Sequence, residues 1–171
     1  MSRRKRFPVV IVVMGVSGVG KTTIGAMLAS RLGWAYYDAD DFHPAENVEK
    51  MSRGIPLTDE DREGWLEGIS ALIRNRVEDD APAVVSCSAL KESYRRKLEI
   101  AADRVALLYL KAPKDVVEER IRNRSGHFFN PALLASQYLT LEEPSGAVVV
   151  DATREPSDVV DEAVRKLSTE F

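Results

Sequence analysis

Apolar runs and amphipathic stretches alternate along the whole chain. Positions 9–14 are continuously apolar and almost all β-branched, the pattern of a strand buried on both faces. Positions 21–32 predict a helix closed by Gly33, and 34–38 a short strand. Thr58 reads as an N-cap, and Asp59, Glu60 and Asp61 suit the positive end of a helix running to about 77. Further strands are predicted at 83–87, 105–110 and 147–150, with helices at 91–102, 113–123, 131–140 and 155–167. Five strands separated by helices predict an α/β fold of three layers. Its sheet is mainly parallel, covered by helices on both faces and joined by right-handed crossovers. Two stretches, about 41–57 and 122–131, have weak periodicity. They are predicted to be mobile segments that close over a ligand, because loops of that length in a compact domain carry function.

Composition narrows the class. A chain of 171 residues, 44% hydrophobic and 30% charged, suits one soluble domain over 1–171. A net charge of −3 gives no reason to expect a nucleic-acid or membrane partner, so any handling of anionic phosphates needs positive charge concentrated locally. Cys87 stands alone, which excludes an intrachain disulfide and fits a reducing compartment. Arg3, Arg4, Lys5 and Arg6 ahead of the first apolar run look like an export signal. That run is only about seven residues long, leads into a glycine-rich motif and has no small-residue cleavage site. It reads as the first buried strand, and no other apolar stretch reaches the length of a membrane span. A cytoplasmic location is expected.

The glycine-rich motif decides the chemistry. Gly15, Val16, Ser17, Gly18, Val19, Gly20, Lys21 and Thr22 match G-x-x-x-x-G-K-[ST] in full, between a predicted strand and a predicted helix. Its glycines allow close backbone approach, so that loop N–H groups and the helix N-terminus converge on phosphate oxygens. Lys21 is placed on the β- and γ-phosphates of ATP, the Thr22 hydroxyl on Mg²⁺, and Thr23 closes the ATP-binding stretch. About half a per cent of random chains this long would carry the pattern, and its position between strand and helix lowers that further. The fold expected is therefore a P-loop kinase fold.

A guanine-reading N-K-x-D or T-K-x-D is absent from the sequence. The strand at 83–87 has the central place of a metal-binding acid but no carboxylate, whereas 148–151 ends in Asp151 at the last strand. The 151–156 segment better suits a loop bordering adenine. The stronger metal candidate is Asp38. Asp38 and Asp40, two apart at a strand's C-terminal end, can divide the work: one holds Mg²⁺ and the other accepts a proton from a substrate hydroxyl.

With these residues in view, the chain resembles the gluconokinases, P-loop enzymes of the shikimate-kinase-like type. The resemblance covers essentially the whole chain. It rests on GVSGVGKT at 15–22, DADDFHPAENVEKM at 38–51, GIPLTDEDREGWL at 54–66, CSALKESYR at 87–95, GHFF at 126–129 and LASQYLTLEEP at 134–144. The first motif is widespread, and the H-P-x-x-N-x-x-K-M and S-A-L-K-x-x-Y-R signatures are far more specific. The resemblance implies phosphorylation of D-gluconate on its 6-hydroxyl by ATP, giving 6-phosphogluconate and ADP. Residues and spacing alone reach only a small-molecule kinase.

The matched residues suit a polyhydroxy carboxylate. Asp40 is expected to contact the reactive hydroxyl as base or orienting acceptor. His43, Asn47 and Lys50 are expected to supply donors from the covering segment. Arg95 is the candidate clamp for the gluconate carboxylate, since a guanidinium binds a carboxylate through two parallel bonds. His127 joins the substrate-contacting set, and Asp59 and Asp61 are second-tier. In this fold type a lid at about 122–131 closes over ATP. Arg124 is expected to neutralise the transferring phosphoryl group, with Arg120 on adenine or phosphate and Gly126 at the bend. The family suggests a homodimer, without indicating an interface. Two rivals remain: a kinase of the same fold for shikimate or a nucleoside monophosphate, and a non-catalytic nucleotide-binding switch.

Overall fold

The computed structural model describes residues 7–98, 103–124 and 131–171. Strands run at β1 Val10–Met14, β2 Ala35–Asp38, β3 Ala83–Ser86, β4 Val105–Lys111 and β5 Val148–Asp151. Helices run at α1 Lys21–Leu32, α2 Ala45–Ser52, α3 Asp59–Glu78, α4 Glu92–Lys97, α5 Lys114–Arg122, α6 Pro131–Thr140 and α7 Pro156–Glu170. A single 3-10 turn, Ala39–Phe42, follows β2.

The strands form one sheet in the order β2-β3-β1-β4-β5, with every pairing parallel. Val10 pairs with Ala83 on one side and with Val105 on the other, so β1 sits in the middle. Its side chains alternate between two cores, as a strand's period of two requires. Ile11 and Val13 face a core shared with Leu28 of α1, Val117 of α5 and Val160 and Leu167 of α7. Val10, Val12 and Met14 face Trp65, Leu66 and Ile69 of α3 and Tyr94 of α4. All five β1 residues are fully buried, which explains why its sequence is continuously apolar rather than alternating. Each such side chain contributes about 1.5–3 kcal/mol by leaving water.

The chain winds from β1 to one side through β2 and β3, then returns to the other side for β4 and β5. That reversal opens a crevice beyond the C-terminal end of β1, where open parallel sheets bind ligands. Close packing of α1 on the sheet sharpens the crevice. A Cβ on Gly25 would strike the Ser86 Oγ and lie 2.8 Å from the Tyr36 ring.

Two expectations change here. The covering segment 41–57 is not irregular throughout, since it contains the end of the 3-10 turn and all of α2. Pro44, extended at φ −64° and ψ 158°, starts α2, and buried Asn47 ties it inward. The helix expected over 91–102 is described only as far as Lys97, and 99–102 lie outside the described residues. Among the described residues no helix is long and apolar enough to cross a membrane.

Candidate active site

The glycine-rich loop leaves β1 and enters α1 at the head of the crevice. Gly18 adopts φ 79°, and a Cβ there would come within 2.6 Å of the Ile121 side chain of α5. Glycine is required on both counts. The residue before α1 is Gly20, which offers no side chain to cap the helix's first N–H groups. Those donors and the helix dipole suit an anion. Lys21 Nζ donates to the Val16 carbonyl at 2.9 Å. Burial pushes the Lys21 pKa below the ordinary lysine value, and the nearby Asp40 and Asp38 carboxylates partly oppose that shift.

A cleft of about 540 Å³ lies against this loop. Gly18, Val19, Gly20 and Thr23 form one wall, Arg120 and Arg124 another, and the 152–156 loop closes it. Arg120 Nη1 donates to the Val19 carbonyl at 3.3 Å, which fixes that side chain to the loop. Arg124 lies exposed on the cleft wall.

The carboxylates after β2 occupy different positions. Asp38 Oδ2 accepts from the Thr22 hydroxyl at 3.1 Å, while Oδ1 accepts from the Asp40 N–H at 2.9 Å and caps the 3-10 turn. One hydroxyl and one carboxylate side by side are hard oxygen donors of the kind magnesium takes together with substrate phosphates. Among the described residues no group of three or more His, Cys, Asp or Glu could hold a metal by itself. The Thr22–Asp38 pair therefore fits a magnesium ion that arrives with a nucleotide. Asp151 is committed elsewhere, accepting from the Thr153 N–H at 2.9 Å and its hydroxyl at 2.6 Å. In β3 Ser86 takes the place of an acid. Its Oγ donates to the Lys21 carbonyl at 2.8 Å and accepts from the Tyr36 hydroxyl at 3.0 Å, tying the start of α1 to the sheet.

A second pocket, about 200 Å³, adjoins the loop on the α3 side. Lys21, Asp40, His43, Arg62 and Gln137 all line it. His43 stacks on Trp65 with ring centroids 4.2 Å apart, and Trp65 Nε1 donates to the Ala39 carbonyl at 2.7 Å. Asn47 Nδ2 lies 3.3 Å from His43 Nδ1 and donates to the Asp61 carbonyl at 2.8 Å. An amide nitrogen only donates, so this contact assigns the His43 proton to Nε2, 4.0 Å from Asp40 Oδ1. Burial pushes the His43 pKa below 6.5, which leaves the ring neutral at neutral pH with its Nε2 on the Asp40 side.

Arg62 was not assigned a role from sequence, although it sits inside the 54–66 motif. Its Nη1 donates to the Leu57 carbonyl at 2.7 Å and to the Tyr94 hydroxyl at 3.0 Å. Four residues past the Thr58 cap and three before Trp65, it lies one helical turn from each, the spacing that puts it on the pocket face. Gln137 was also unassigned. Its Oε1 accepts the Ser17 N–H at 2.6 Å and its Nε2 donates to the Ser17 hydroxyl at 3.0 Å, so α6 grips the phosphate loop across 120 residues.

Two expected substrate contacts lie outside this pocket. Arg95 does not face the pocket. It is 7% exposed, and its guanidinium donates to the carbonyls of Ala89, Leu90 and Glu142 at 2.8, 3.1 and 2.9 Å, joining α4 to the segment after α6. Lys50 is likewise committed. Its ammonium bonds both Asp61 oxygens at 2.8 Å and does not line the pocket. Asp61 also completes a capping box with Thr58, and with the Lys50 hydrogen bond as the leading cause its pKa falls to about 2. His127 and Gly126, with most of the expected lid, lie outside the described residues.

A phosphate-cradling loop at the switch point of a parallel sheet, sharing Lys21 with a second pocket that holds a carboxylate, defines a small-molecule phosphotransferase of the P-loop class. Comparison with known proteins narrows it. The family model described as shikimate kinase matches residues 17–168. A gluconokinase from Gluconobacter oxydans is 41% identical, with 99% of this chain and 96% of that protein covered. A probable gluconokinase from Dictyostelium discoideum is 42% identical over 96% of this chain and 86% of its own length. The crystal structure of a gluconokinase from Sinorhizobium meliloti superposes with a TM-score of 0.88 at 45% identity, covering 96% of this chain and 94% of the other. The chain belongs to the shikimate-kinase family and, within it, to the gluconokinases.

Proposed function

We propose that this enzyme transfers the γ-phosphoryl group of ATP to the 6-hydroxyl of D-gluconate, giving ADP and 6-phosphogluconate. One juxtaposition carries the reading: Lys21, Asp40 and Arg62 line a single pocket beside the phosphate loop. A phosphate, a hydroxyl and a carboxylate thereby each find a complementary group. Among the described residues no carboxylate lies at ion-pair distance from Arg62, so its charge is available to an anionic acceptor.

The nucleotide lies in the larger cleft, with its phosphates on the N–H groups of the loop and its base toward the 152–156 segment. Thr22 and Asp38 would hold magnesium, which would supply positive charge to the nucleotide's phosphates. Gluconate enters the smaller pocket with its carboxylate on Arg62 and its far hydroxyl at Asp40. The hydroxyl oxygen forms a bond to the γ-phosphorus as the bond to the β-phosphate oxygen breaks, and the hydroxyl proton passes to Asp40. Neutral His43 donates from Nε2 and keeps Asp40 and the acceptor in register. Lys21 and Arg124 offset charge on the phosphoryl oxygens.

A coupled ADP-release assay with ATP, Mg²⁺ and a panel of acceptors tests this directly. Strong stimulation by gluconate, weaker by other sugar acids, and none by shikimate or nucleoside monophosphates is expected. Asp40→Asn should lower kcat roughly 10²–10⁴-fold, the usual contribution of a general base, with ATP affinity unchanged. Stimulation by a different acceptor discards gluconate, and slow hydrolysis indifferent to every acceptor favours a nucleotide switch.

A further inference from the structure

The pocket's arginine is held by a chain of side chains that the reaction itself does not use. Lys91, at the start of α4, donates to Asp59 Oδ1 at 3.1 Å. The Tyr94 hydroxyl donates to the same Asp59 oxygen at 2.5 Å. Arg62 Nη1 then donates to the Tyr94 oxygen at 3.0 Å, with its guanidinium carbon 5.3 Å from the centroid of the Tyr94 ring. Two separate sequence motifs, at 54–66 and 87–95, therefore close on each other through one phenol.

The direction of each bond is decided by chemistry. Asp59 is an acceptor only, so Tyr94 must spend its one proton on it. The phenol oxygen is left with lone pairs, and these face Arg62. Lys91 compensates the Asp59 charge, and Asp59 is not within ion-pair distance of Arg62. Arg62 is consequently fixed by two neutral oxygens, the Leu57 carbonyl and the Tyr94 phenol, and among the described residues no carboxylate lies at ion-pair distance from it. Burial, followed by the bond to Asp59, pushes the Tyr94 pKa up, so the phenol stays protonated through the neutral range.

We propose that Tyr94 and Asp59 are positioning residues that hold the Arg62 guanidinium ready for the acceptor's carboxylate. The proposal rests on reading Arg62 as the carboxylate partner. An unrestrained arginine samples many rotamers, an entropy that a substrate would otherwise have to overcome on binding. Tyr94 removes that cost in advance, and it lines neither the nucleotide cleft nor the acceptor pocket.

The test is a double-mutant cycle of Tyr94→Phe and Arg62→Met in the full chain, reading gluconate KM, ATP KM, kcat and Tm. Tyr94→Phe should raise gluconate KM roughly 10-fold or more, the effect of losing a hydrogen bond to a charged group, with kcat and ATP KM within about twofold. Arg62→Met should raise gluconate KM further, and the double variant should be no worse than Arg62→Met alone, since both remove one interaction. Losses that multiply in the double variant, or a normal gluconate KM in Tyr94→Phe beside a raised one in Arg62→Met, overturn the positioning role and leave the carboxylate reading standing. An unchanged gluconate KM in Arg62→Met overturns both. Should Tyr94→Phe fail to fold, Asp59→Ala breaks the same chain from the exposed side, and the same outcomes decide.

Discussion

Replacing Arg95 with methionine removes a guanidinium that joins three carbonyls while keeping the length of the aliphatic stem. The bonds run to Ala89, Leu90 and Glu142 at 2.8, 3.1 and 2.9 Å around a side chain that is 7% exposed. A hydrogen bond with a charged partner is worth about 1.5–3 kcal/mol, and stranding a buried carbonyl adds a further cost. Partial rehydration near Glu142 and non-additivity bring the expected loss to about 3–5 kcal/mol. For a domain of this size that lowers Tm by roughly 6–20 °C. Calorimetry on Arg95→Met, together with gluconate KM measured well below its Tm, checks both halves. A large drop in Tm with a gluconate KM within about threefold of normal fits an arginine that secures the carbonyls. A Tm within about 2 °C of the parent, with gluconate KM raised tenfold or more, would refute the reasoning and return Arg95 to the acceptor.

Asp38→Asn keeps an oxygen for the Thr22 hydroxyl but removes the negative charge. The magnesium concentration for half-maximal rate should rise roughly 10–100-fold, as is usual when a metal-orienting group is lost, and a magnesium titration at saturating ATP reads it. His43 gives a pH signature. Its folded pKa lies below 6.5, so between the two values the unfolded chain binds the proton and the folded chain does not. Its contribution to stability is complete above pH 6.5 and is lost as pH falls through 6.5 toward the folded value. Urea midpoints across pH 5–8 should show this slope, and His43→Phe should flatten it.

Much of the architecture was legible along the chain because the governing interactions are local. Each of the five strands starts and stops within two residues of its sequence-based bounds, since an apolar β-branched run flanked by polar residues has few alternatives. The Thr58 cap is read from four consecutive residues, and the capping box forms there. The helix at α2 was missed because Pro44, an acidic first turn and a single buried polar residue make a faint pattern over eight residues. Telling Arg95 from Arg62 failed for a different reason. Arg95 and Arg62 both sit in recognisable motifs, and only contacts 30 to 50 residues distant, to Tyr94 and Glu142, separate the side chain that holds carbonyls from the one that lines the pocket. Lys50 was read as a donor to substrate because its acid, Asp61, lies eleven residues away in the next helix. Gln137 carries no charge and follows no periodic rule, so its grip on Ser17 becomes visible only when α6 is seen folded over the loop.

The strand at the centre of the sheet is also the first of the five along the chain. Val10 has its partners at Ala83 and Val105, so β1 gains neither neighbour until much of the chain has followed it. At ordinary translation rates, β1 waits roughly 5–20 s for its second edge to be paired. For that interval the most apolar segment of the molecule, with two unpaired edges, is a newborn strand outside the ribosome tunnel. The phosphate loop hangs from its end and cannot take shape sooner. The same placement that gives the mature enzyme a rigid floor beneath its phosphates makes its birth depend on whatever shields β1 during synthesis.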